Sequence, residues 1–128
     1  MSHTIKNLRD VKDSAPEFGC ADTQEAHFAS EDLDAAETGV SYLVVRPGKR
    51  QAFAHRHDAA EEVYIVVSGS GRIKLDDHVT QVEMLDAIRV APNVVRQFEA
   101  DDDGLAVVAF GRRHDGDGNI VDDPGFWD

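Results

Sequence analysis

From Gly48 to Gly69 the chain reads GKRQAFAHRHDAAEEVYIVVSG, with His55, His57 and Glu62 as its polar centre. On an extended strand, side chains two residues apart point to the same face, so His55 and His57 lie side by side. Glu62 then opens a second strand, EVYIVV. There Glu62, Tyr64 and Val66 share one face and Val63, Ile65 and Val67 take the other. A strand apolar on both faces is covered on both, as in a sandwich or barrel packed against further structure or a partner.

Working outward, VSYLVV from Val40 to Val45 is β-branched and aromatic and predicts a strand, ended by the turn Arg46-Pro47-Gly48-Lys49. Gln51 to His57 predicts the next, with Phe53, His55 and His57 on one face. Ser68-Gly69-Ser70-Gly71 predicts a tight turn before Arg72 to Leu75, and Asp76-Asp77-His78 another. Val79 to Met84, Asp86 to Val90 and Val94 to Ala100 continue the extended pattern, the last with Val94, Arg96 and Phe98 on one side. Asp101-Asp102-Asp103-Gly104 predicts a hairpin before the apolar strand Leu105 to Phe110. Short strands between Gly, Pro and Asp turns, with no long amphipathic helix, predict an all-β barrel or sandwich.

The flanks are less patterned. Residues 1–39 form an N-terminal arm with scattered anchors Phe18, Phe28 and Leu33; Cys20 is read there as a small buried or half-buried side chain and His27 as a surface or packing residue. In the tail, residues 111–128, Asp115-Gly116-Asp117-Gly118-Asn119 resembles a fragment of a calcium loop without its full ligand pattern. Phe126 and Trp127 are costly to leave in water and are expected to dock on the barrel or on a second subunit.

The 128 residues suit one domain with a core over about 40–110. Twenty-five acidic against thirteen basic residues give a net charge of −12, a field that disfavours nucleic acid and acidic membrane surfaces. The single cysteine excludes an intrachain disulfide, and neither a secretory signal nor a membrane-length apolar run is evident, so a cytoplasmic protein is expected.

The arrangement of Gly48, His55-Arg56-His57, Glu62 and Gly69 resembles the first motif of the cupin superfamily, Gly, then His-x-His, then Glu, then Gly. The resemblance covers roughly Val40 to Phe110. It implies a double-stranded β-helix, or jelly-roll barrel, with a ligand-lined interior and frequent homodimers. In the family's second motif a third metal-binding histidine follows a Gly-Pro-Gly segment. Here Ala91-Pro92-Asn93 leads instead to Arg96, which has no lone pair for a metal and stays protonated.

Three functional expectations follow. His55, His57 and Glu62 can form a facial triad for a divalent metal such as Fe, Mn, Zn or Ni, serving an oxygenase or isomerase. Alternatively, Arg96 pairs with Glu62 or with a ligand carboxylate. His55 and His57 then floor a site, walled by Phe53, Tyr64, Val66, Ile73 and Phe98, that binds a small polar or anionic molecule. In the third, the polar residues are a satisfied network in a non-catalytic structural dimer.

Overall fold

Two long antiparallel strands, β4 (Glu62–Leu75) and β7 (Arg96–Arg112), run through the whole molecule and carry the other strands on either side. They are joined by β1 (Gln24–Phe28), β2 (Thr38–Val45), β3 (Ala54–His57), β5 (His78–Glu83), β6 (Ala87–Val90) and β8 (Gly118–Val121) in a computed structural model that describes residues 2–128. At one end, Glu62–Ile65 pairs with β6 and β7 continues through β2 to β1. At the other, Ser70–Leu75 pairs with β5 and β7 meets β3, which pairs with β8. The result is the expected jelly-roll barrel. Among the described residues no helix is long and apolar enough to cross a membrane.

The two turns expected at Ser68–Gly71 and Asp101–Gly104 are not turns. Both segments stay in their strands, and the ladder shifts register between Val66 and Ser68 and between Gly69 and Gly71. Glycine and aspartate mark bulges as readily as hairpins, and here they let β4 and β7 bend together from one side of the barrel to the other. Gly69 has φ 73°, and a Cβ there would overlap the carbonyl of Gly104. Gly69→Ala is therefore expected to cost about 2–3 kcal/mol in urea denaturation, by strain plus overlap. Gly19→Ala, with φ 71° but open space around it, is the control and should cost clearly less. Equal costs would remove the close crossing from this account.

Alternation along the strands builds the core. Val45, Tyr64, Val66, Ile73, Phe98, Leu105 and Val107 all point inward and are buried. Tyr64 and Phe98 meet edge to face at 5.0 Å, worth about 1 kcal/mol beyond the area they bury. The strand expected from Gln51 begins only at Ala54, because Gln51 is committed elsewhere. Its N–H donates to Phe98 O, its Oε1 accepts from Phe98 N–H, and its carbonyl accepts from Gln97 Nε2.

The flanks are ordered by specific partners. His27 is a buried packing residue, its Nδ1 2.7 Å from Val11 O and its Nε2 2.9 Å from Glu25 Oε1, and Cys20 is buried as expected. The tail docks on the barrel. Trp127 donates from Nε1 to Gln97 Oε1 at 2.7 Å, and its ring lies under the guanidinium groups of Arg50 and Arg72, which also pair with Glu99.

Candidate functional site

β3 presents His55 and His57 on one face, their ring centroids 5.2 Å apart, and β4 brings Glu62 and Tyr64 opposite them. Four groups converge on one atom, Glu62 Oε1. Tyr64 donates its hydroxyl to it in a short hydrogen bond, while His57 Nε2 lies at 3.4 Å, His55 Nε2 at 3.7 Å and Arg96 Nη2 at 3.9 Å. The ligand atoms of His55, His57 and Glu62 all lie within 4.8 Å of one another, so the donor set expected from the sequence is assembled.

The protonation states follow from this geometry. Burial pushes the Glu62 carboxyl up, but His55, His57 and Tyr64 outweigh it and hold Glu62 well below its ordinary value of 4.5. Glu62 in turn raises His57 above 6.5, against burial and the nearby charge of Arg96 and with help from Asp117. Burial, followed by the Glu62 charge, drives the Tyr64 hydroxyl far up, so it remains a donor. A carboxyl lowered on folding stabilises above 4.5 and loses that contribution as pH falls. A histidine raised on folding stabilises fully below 6.5 and loses its contribution as pH rises. The site therefore supports the fold most between pH 4.5 and 6.5.

Asp117, in the tail loop that resembled a calcium fragment, proves to be the residue that orients His57. Its carboxylate accepts from Ala59 N–H at 2.7 Å and Ala60 N–H at 3.0 Å. Burial alone would raise the Asp117 carboxyl, but these two N–H groups and His57 hold it below its ordinary value. As an anion it can only accept, so His57 Nδ1–H donates to it across 3.2 Å and Nε2 is turned toward Glu62. That Nε2 is buried and finds no aligned hydrogen-bond partner. Asp117→Asn should lower the His57 pKa, read by NMR titration of the ring; an unchanged or higher value would deny Asp117 this role.

A cavity of about 400 Å³ opens above these groups. His55, His57, Glu62 and Tyr64 form its floor, and Phe53, Leu43, Gln51 and Ile120 are among its walls. Phe18 and Phe28, legible in the sequence only as anchors of the arm, also line it. Arg96 and Phe98 do not reach the cavity, nor do Val66 and Ile73. They form the buried layer beneath it. Arg96 is 0% exposed, and its Nη1 donates to Val94 O at 2.8 Å and Pro92 O at 3.2 Å. In place of the expected bidentate pair with Glu62 there is a single approach of Nη2 to Oε1 at 3.9 Å.

Residues 41–110 match the cupin domain family, more than half of the chain. The chain is a cupin. Solved structures agree on the fold: a cupin protein from Bacteroides fragilis is 21% identical with a TM-score of 0.68, covering 91% of this cupin and 87% of that chain. A sugar phosphate isomerase of the cupin superfamily from Silicibacter pomeroyi is 15% identical with a TM-score of 0.73, covering 94% and 83%. Streptomyces PAC13, solved with uridine, is 16% identical with a TM-score of 0.73, covering 94% of this cupin and 92% of that chain. No functionally curated protein matches it significantly.

Proposed function

We propose that this cupin binds a small oxygen-bearing organic molecule on the floor of its cavity, with Arg96 in place of the metal that the donor set would otherwise invite. One observation carries this reading: both imidazoles, Glu62 and Tyr64 line the floor of one cavity whose walls are largely apolar. A few polar groups gathered on the floor of an otherwise apolar cavity are what fixes the orientation of a small ligand.

The donor set by itself suits a divalent ion, but its surroundings do not. Glu62 Oε1, the carboxylate atom facing the imidazoles, already accepts from Tyr64, and a permanent cation with two unpartnered nitrogens stands 3.9 Å from it. A second positive charge at that point would be repelled, whereas the guanidinium neutralises Glu62 at no cost in ligands. The raised pKa of His57, whose Nδ1 is fixed on Asp117, keeps a proton at the cavity floor beside the Glu62 carboxylate, and Glu62 can accept a hydrogen bond from a ligand hydroxyl. This is the arrangement of a general acid beside an anion, open to proton-transfer chemistry on carbonyl or hydroxyl groups.

The test follows the ring signals of His55 and His57 by NMR while small alcohols, carbonyl compounds and monocarboxylates are added to the full chain. Compounds that bind should shift both rings, and Glu62→Gln should abolish the effect. Rings that stay unmoved across the set would overturn the reading.

A further inference from the structure

Resting on that reading, we infer that the ligand is an unphosphorylated molecule with an apolar or planar ring body, its oxygen-bearing head on the floor formed by His55, His57, Glu62 and Tyr64 and its ring against Phe18, Phe28, Phe53 and Ile120. Three of these side chains would be unfavourable on a surface with no use for them. Phe18 is 62% exposed, Phe28 52% and Ile120 61%, yet all three border the same cavity as His57 and Glu62. Each is held there by local structure. Phe18 ends the 3-10 turn Ala15–Phe18, which Gly19 caps at φ 71°; Phe28 ends β1 on the same face as Gln24 and Ala26; Ile120 lies in β8 opposite His55. The cavity's volume, about 400 Å³, is that of a small-molecule site.

Charge sets the other half of the class. Among the described residues no Lys or Arg lines this cavity, and Arg96 is sealed beneath it. An adjoining cleft does carry Arg112 and Arg113, but Glu61, Glu62, Asp115 and Asp117 line it too, and Arg113 donates to Ala35 O at 2.7 Å. Carboxylates outnumber guanidinium groups there, on a chain of net charge −12, so a phosphate dianion meets repulsion. The cavity therefore lacks the cationic clamp that a sugar phosphate requires.

The test titrates matched probes into the full chain by NMR: uridine against uridine 5′-monophosphate, and phenol against phenyl phosphate. The uncharged member of each pair should bind about tenfold or more tightly than its phosphate. Phe28→Ser, an exposed change, should weaken the uncharged members about fivefold to tenfold, and His57→Gln should abolish binding of both. If phosphates bind as well as their partners, if Phe28→Ser changes nothing, or if neither uncharged probe binds, the ligand class is overturned. If uridine and phenol bind His57→Gln as they bind the natural chain, the interior site itself is overturned.

Discussion

Arg96→Met should destabilise the protein by about 3 kcal/mol, measured by urea denaturation at neutral pH. The natural side chain is 0% exposed, ties Pro92 and Val94 to the barrel through their carbonyls, and is the only permanent cation beside the Glu62 carboxylate among the described residues. Methionine fills similar volume but leaves a carboxylate without its counter-charge at the base of a mostly apolar cavity. A second change, Glu62→Gln, removes that stranded charge and should recover part of the loss. The two effects should therefore fall short of additivity, the signature of direct coupling. A loss below about 1 kcal/mol, or strict additivity with Glu62→Gln, would show that the guanidinium and the carboxylate do not depend on each other.

Arg96→His should change metal affinity more than any other single substitution. It removes the opposing charge and offers a third imidazole near His55, His57 and Glu62, whose ligand atoms already lie within 4.8 Å of one another. A gain of about 100-fold in affinity for Zn, Mn, Fe or Ni is expected, on the scale by which neighbouring groups tune metal sites. Adding His57→Ala should abolish the gain. Unchanged affinity in Arg96→His would mean that something other than arginine sets the natural chain's response to metal.

Much of this was legible from residue spacing. The His-x-His pair and the carboxylate after it face one interior because a period of two turns them inward on β3 and β4, although these strands pair with β7 and not with each other, and Arg96 and Phe98 face inward as their alternation implies. Depth was not legible. Alternation says which face Arg96 occupies, but not that Pro92 and Val94 would draw its guanidinium under the cavity and away from a ligand. Nor could local composition separate a hairpin from a bulge at Ser68–Gly71 and Asp101–Gly104, since pairing across β4 and β7 decides it over a long sequence distance. Asp117 shows the same limit. Its Asp-Gly context advertises a loop, and only the fold brings that loop against Ala59, Ala60 and His57.

The measurement that bears most directly on the account is the metal content of the natural chain after aerobic purification and incubation with excess Fe, Mn, Zn or Ni, then desalting. If the Arg96 guanidinium supplies the positive charge at Glu62, only traces of each ion should remain, and His57→Ala should retain the same traces. A near-stoichiometric divalent ion that His57→Ala removes would contradict it.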